Sequence, residues 1–369
     1  MQNFLNILKK DAVLTIAVSL ALISCFFVVP SPEYISYIDF KVLSCLFCLM
    51  IVVSGFKNMN ILDIISQKLL NRVTDLRRMY ITIIFLTFIS AMLITNDVAL
   101  ITFVPLTLTI LKMSDKKEHI ILFVVLQTIA ANLGSSLTPV GNPQNLYLFS
   151  YYNFNIYSFF KLSLPITAFS GLLLFLCVFL IKNERLVIKI NNYIKIQDKK
   201  TSIIYFALFF ISVLSVFDII SYKISLLIVI FTVLFLDKKL FTEVDYSLLI
   251  TFIGFFVFVG NISDIGSLKI FFAKVLQNKE MISSIALSQV ISNVPAAILL
   301  SKFTDAARDI FLGVNIGGLG TLIASLASVI SFKIYCKDKE ANKRKYMLLF
   351  TVYNVVFLVI LTVFALMIK

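Results

Sequence analysis

Histidine is nearly missing from this chain: His119 stands alone, in the charged link "SDKKEH". The five cysteines, Cys25, Cys45, Cys48, Cys177 and Cys336, lie in or beside apolar runs. Cys45 and Cys48 form a CxxC with no further ligand types around it, so packing is the expected role. A metal centre and a histidine-based catalytic set are therefore excluded by composition. Charge is scarce too: 14% of residues are charged, against about 25% in soluble domains. No GxxxxGK[ST] occurs, so the phosphate cradle of an ATP-driven pump is absent. No polar stretch between apolar runs exceeds roughly 25 residues, well short of a domain. With neither an activating base nor a ligand domain, an enzyme or a receptor is not expected.

What fills the sequence is apolar. Hydrophobic residues make up 60%, 36 of the residues are phenylalanine, and the mean hydropathy is +0.98. Runs long enough to cross a bilayer recur along the whole length, without the short alternating segments of a barrel. The expected fold is an all-α polytopic membrane protein. The N-terminus, "MQNFLNILKKDAVLTIAVSLALISC", imitates a signal peptide, but the apolar run continues as "FFVVP"; a retained first span is expected. The net charge of +13 is not a nucleic-acid surface, because Lys and Arg cluster in the links between runs, the positive-inside pattern.

Charges and runs together predict a topology. A first helix lies in 1–36, preceded by Lys9 and Lys10. Residues 37–182 form one unit, 183–245 a basic link and helix pair, and 246–369 a second unit. Within the first, 79–113 is apolar but basic at both ends and interrupted by "TND" at 95–97. Both ends on one side make it a re-entrant hairpin, with arms of about 15 residues reaching ~22 Å. The run 120–150 is a broken helix. In the second unit, 281–303 carries "SNVPA" and forms the matching hairpin, and 309–335 is the second broken helix. The count is about nine transmembrane helices plus two hairpins. The positive-inside rule puts the first hairpin's base and the N-terminus in the cytoplasm, and the second hairpin's base and the C-terminus outside.

"NLGSSLTPVGNP" (132–143) and "NIGGLGTLIASL" (315–326) align Asn132 with Asn315, Gly134 with Gly317 and Thr138 with Thr321. Upstream, "ITNDVA" matches "ISNVPA". The two units are thus inverted copies, each with a polar tip and a discontinuous helix, which is the architecture of secondary transporters with a site near the midplane. Unwound backbone in a bilayer is tolerated only where protein or a cavity satisfies it. Glycine gives such breaks unusual φ, and proline releases a carbonyl.

At "TNDVALITFVPLTL", "TPVGNPQNL", "LLITFIGFFVFVGNI" and "SNVPAAILL" the chain resembles the ion transporter superfamily, which includes citrate and divalent-anion permeases, arsenite permeases and sodium/proton antiporters. The resemblance covers about 37–369. It implies ion binding at Thr95, Asn96, Asp97, Gly134, Thr138 and Gly141 on one side and at Ser292, Asn293, Gly317 and Thr321 on the other. It implies substrate contacts at Asn96, Asp97, Asn142, Asn145, Asn293 and Ser325. A homodimer is implied as well. Where the divalent-anion branch has Ser-Asn-Thr tips, this chain ends them in Asp97 and Val294. Val294 cannot hydrogen-bond a carboxylate and an ionised Asp97 would repel one; "TND" is closer to the arsenite-permease and antiporter-like branches. The expected function is a secondary permease for a small anion or organic acid, coupled to sodium or protons. The alternatives are a sodium/proton antiporter and an arsenite-type oxyanion efflux permease. No cofactor is expected beyond sodium ions; the partners are a small anionic solute, sodium or a proton, and the lipid of a bacterial inner membrane, with no nucleic acid.

Overall fold

The computed structural model describes residues 12–70, 73–186 and 198–368. Lys9 and Lys10, used in the charge reading, lie outside them, as do Arg72, Lys189 and Lys195 of the basic links. Among the described residues the chain is helical, with one isolated β-bridge between Asp75 and Arg185. Eight helices are long and apolar enough to cross a membrane. The expected count of nine differs in two ways: the eight include both arms of the first hairpin, Leu76–Ile94 and Asn96–Met113, and leave out Val13–Ser24, Tyr222–Leu236 and the second broken helix, whose helices fall below that length.

The helices follow in this order. α1 is Ala12–Ser24, α2 Phe40–Asn58 and α3 the amphipathic Ile61–Leu70. A hairpin of α4 (Leu76–Ile94) and α5 (Asn96–Met113) comes next. The first broken helix is α6 (Ile120–Gly134), a 3-10 turn and α7 (Pro143–Tyr151), followed by α8 (Ile156–Phe179). The central pair is α9 (Lys199–Val216) and α10 (Tyr222–Leu236). Then the plan repeats: α11 (Tyr246–Asp264), amphipathic α12 (Gly266–Leu276), and a hairpin of α13 (Glu280–Ile291) and α14 (Asn293–Ser301). The second broken helix is α15 (Ala307–Gly317) and α16 (Leu326–Cys336), and α17 (Lys343–Met367) ends the chain.

The starts of these helices are written in polar side chains. Asp39, Asp75, Asn142, Asn155, Asp245 and Asn342 each accept a hydrogen bond from a backbone N–H of the first turn they precede, the normal use of these residues at a helix N-terminus. Asp75 starts α4 three residues before the expected 79, and a single residue, Thr95, makes the turn in place of three. The arms are therefore 19 and 18 residues, ~28 and ~27 Å long, and not the short arms expected.

The two hairpin turns have one conformation. Thr95 has φ 80°, ψ 147°, and Ser292 has φ 78°, ψ 154°. This is a region that L-residues occupy at a cost of about 1–3 kcal/mol each. The expectation that glycine supplies unusual φ holds only at Gly320 (φ 100°) among the glycines. Gly134 is helical, and its reason is proximity: a Cβ there would run into the carbonyl of Phe88 on α4.

Each repeat packs internally in the same way, α4 on α6 and α13 on α15, while the second hairpin arms cross over. α5 packs on α16 of the other repeat and α14 on α7. At one end of the bundle the links converge: Lys112 pairs with Asp338 at 2.7 Å, Lys117 with Glu340 at 2.9 Å, and Lys116 with Glu184. Both ends of the first hairpin lie on this face, as the charge pattern requires.

Candidate functional site

The unwound backbone of each break is held by one side-chain amide, buried in the first break and part-buried in the second. Asn145 Nδ2 donates to the carbonyls of Ser135, Ser136 and Thr138 at 3.2–3.3 Å. In the second break Gln289 Nε2 donates to the carbonyls of Gly317 (2.8 Å) and Leu319 (3.0 Å), while its Oε1 accepts from Thr321 N. Gln289 carries no mark in the sequence; only its place three residues before the "SN" tip hints at it. The Thr138–Thr321 match holds in bonding although the local backbone differs: Thr138 follows its 3-10 turn and Thr321 precedes one, yet each hydroxyl donates to the carbonyl three residues before its hairpin turn. Thr138 donates to the Met92 carbonyl and Thr321 to the Gln289 carbonyl.

Across the repeats runs a reciprocal seam. Asn132, near the end of α6, accepts from Ser325 Oγ at 2.8 Å and donates to Ser328 Oγ at 3.2 Å. Asn315, at the matching place in α15, accepts from Asn142 Nδ2 at 3.3 Å and donates to Asn145 Oδ1 at 2.8 Å. Asn142 and Ser325 both sit at the N-cap position of the second half-helix, so the same pair of bonds is made in each direction. The structural partner of Asn142 is thus Ser325. Asn132 also accepts from Asn96 Nδ2 (3.3 Å), tying the first tip to the seam.

The tips meet at a cavity of about 40 Å³, lined by Asn96, Asp97, Ser292, Asn293, Val294 and Ser325, with Gln144, Thr251 and Asp245 among the rest of its wall. About 10–15 Å³ of such space holds one water, so this is room for a dehydrated ion or a few waters. A second cavity of about 420 Å³ adjoins it; Asp97, Pro143, Asp245 and Leu248 line both. The larger one also touches Thr95 and Asn142 and opens beside Lys57, Asn58 and Glu243. Among the described residues no lysine, arginine or histidine lines the smaller cavity, which has two carboxylates. Asp97 Oδ1 is buried and without a hydrogen-bond partner.

Six expected residues are thus brought to one place: Asn96, Asp97, Ser292, Asn293 and Ser325 around the small cavity, and Thr95 beside it. Asn142 lies next door. Gly141 gives its carbonyl to Asn96 N at 3.1 Å. Asn145, Gly134, Thr138, Gly317 and Thr321 line neither cavity. Asp245 is an addition that sequence reading missed. Its signal was "TEVDY", an acidic link before a span, which resembles an ordinary solvated cap.

Comparison with known proteins bears on this geometry. Residues 4–310 match the family model described as Citrate transporter. An uncharacterized transporter of Methanocaldococcus jannaschii is 35% identical over 334 residues, 90% of this chain and 91% of that one. The inner membrane protein YbiR of Escherichia coli is 26% identical over 358 residues, 95% of this chain and 94% of its own. A putative transporter, arsB, of Dictyostelium discoideum is 28% identical over 141 residues, 38% of this chain and 24% of the relative.

Proposed function

We propose, from the premise that the chain belongs to the citrate transporter family of integral membrane transporters and is no enzyme, that it is a secondary active transporter for a small anion, driven by sodium or protons bound at Asp97. The observation that carries the reading is the single cavity at which both hairpin tips meet, with a buried carboxylate oxygen facing no donor. A carboxylate inside a membrane protein is costly and needs a partner. The Asp97 carboxylate, with no lysine, arginine or histidine beside it in the small cavity among the described residues, repels an anion until a cation or proton neutralises it. Coupling is then a consequence of charge: the cation enters first and the anion follows, held by the Asn96 and Asn293 amides. The Asp97 and Val294 departures argue against a di- or tricarboxylate and for a smaller oxyanion. Sodium ligation by Thr95, Thr138 and the carbonyls around Gly134, Gly141, Gly317 and Thr321 belongs to the same proposal, as does cytoplasmic placement of the Lys57–Asn58 opening.

A second reading, sodium/proton antiport, is favoured by the same buried Asp97 carboxylate. Reconstituted vesicles separate the two. Anion uptake accelerated by a sodium or proton gradient supports the first. Sodium-dependent proton movement with no added anion, and no anion flux, supports the second and sinks the first.

A further inference from the structure

A third cavity, also about 420 Å³, lies at the base of the second hairpin. Its wall comes from five places in the chain: Tyr37–Lys41, Tyr147 and Tyr151 of α7, Tyr222 of α10, Phe256 of α11 and Lys302 at the C-cap of α14. Lys41 lines this cup, whereas Lys57 lines the mouth of the larger central cavity. Sixteen residues of α2 separate the two, ~24 Å along the axis, so the cup and that mouth lie toward opposite faces of the bundle.

The cup's polar groups can be accounted for one by one. Lys41 pairs with Asp218 at 2.6 Å. Asp39 accepts from Val42 N through one oxygen and from Ser150 Oγ through the other. The Tyr37 hydroxyl donates to Asp264, and the Tyr147 hydroxyl shares a 2.8 Å bond with Ser301. What remains is three donors. Half-buried Lys302 has no carboxylate within 4.0 Å among the described residues, and Asp39 of the same cup and Asp264 act on it only from further away; its ammonium lies 5.0 Å from the centre of the Tyr151 ring. The Tyr151 and Tyr222 hydroxyls have no acceptor among the described residues. A half-buried cation normally has a counter-charge, and an aromatic face substitutes only in part.

We propose that this cup binds a small oxyanion or carboxylate, with Lys302 as its counter-charge and the Tyr151 and Tyr222 hydroxyls as donors, and so forms the admission site on the face opposite Lys57. The inference rests on the anion reading above for its role in transport, and on the cup alone for binding. Lys41 and Lys302 are also among the few basic residues that the charge pattern leaves off the predicted cytoplasmic links.

The test is amine labelling of Lys302 in the purified full-length protein, followed by peptide mass spectrometry. Sulfate, phosphate or citrate is titrated at constant ionic strength against sodium chloride. Labelling of Lys302 should slow several-fold and saturably with at least one of the three, while exposed Lys269 and Lys274 stay unchanged. Tyr151→Phe combined with Tyr222→Phe should weaken that protection. Equal labelling rates at every anion concentration, or equal slowing at Lys269, would overturn the proposal. Asn96→Ala, expected to stop transport, should leave the protection intact. Protection without any anion transport would therefore remove the proposed function and keep the cup; transport without protection would remove the cup alone. In sealed vesicles an impermeant amine reagent should reach Lys302 only from the side that does not label a cysteine at Lys68→Cys, and labelling from the same side refutes the admission role.

Discussion

Asp97 sits in the first turn of α5, where its own N–H is already taken by the Asn96 side chain at 3.0 Å. Its carboxylate is therefore not needed to close the hairpin turn. Asp97→Asn keeps the size of the side chain and removes its charge, so the variant should fold, and any flux that survives should lose its sodium and pH dependence. Unchanged dependence in a flux assay would move coupling to the backbone of the breaks. The neighbouring asparagines give a sharper contrast. Asn96→Ala and Asn293→Ala should remove most transport with little change in thermal unfolding, because both face the cavity. Asn145→Leu should do the reverse of sparing the fold: it leaves the buried carbonyls of Ser135 and Ser136 without a donor, at about 1–3 kcal/mol for each unsatisfied group, and the thermal midpoint in detergent should drop sharply. Polar residues in an apolar background are easy to see in a sequence, and Asn96, Asn142 and Asn293 were visible that way. Which of them faces a cavity and which braces the backbone was not, since Asn142 and Asn145 stand in one local motif and differ only in tertiary surroundings.

At the scale of elements, the breaks and tips were legible because Gly, Pro, Asn and Ser cluster there, whereas single ones such as Pro105 and Pro165 sit inside continuous helices. Lengths were less legible: Asp75 and the one-residue turn at Thr95 lengthen the first hairpin beyond what hydropathy suggests. The strain stored at the two turns is testable. Thr95→Gly relieves about 1–3 kcal/mol of backbone strain against about 0.5–1 kcal/mol of added chain freedom. The variant should unfold at no lower a temperature than the parent; a clear loss of stability would mean that the threonine side chain outweighs the strain. Gly134→Ala should be far worse tolerated, because its methyl meets the Phe88 backbone and α4 must move off α6, a shift costing about 1–3 kcal/mol.

The whole molecule has two distinct faces. Glu184 and Asp338 have their carboxyls held below the usual range, first by hydrogen bonds from Lys116 and Lys112 respectively. Their contribution to stability is thus present above the ordinary carboxylate values near about 4 and is lost as pH falls through the lowered ones. Thermal unfolding followed from neutral to strongly acidic pH should show this loss, and Asp338→Asn should flatten its part of the slope. The same face should carry both Lys68 and Glu118, which are exposed. In a cysteine-free background, Lys68→Cys and Glu118→Cys should react with an impermeant thiol reagent from the same side of a sealed vesicle; opposite sides would end the inverted-repeat topology. The crossed arms, α5 on α16 and α14 on α7, bear on how the chain is made. When the first repeat leaves the ribosome, Asn132, Asn142 and Asn145 still lack Ser325, Ser328 and Asn315, and the groove for α14 stands open to lipid. Neither repeat is a folding unit; each is the other's template, and a protein cut within 198–245 should accumulate only when both fragments are synthesised together.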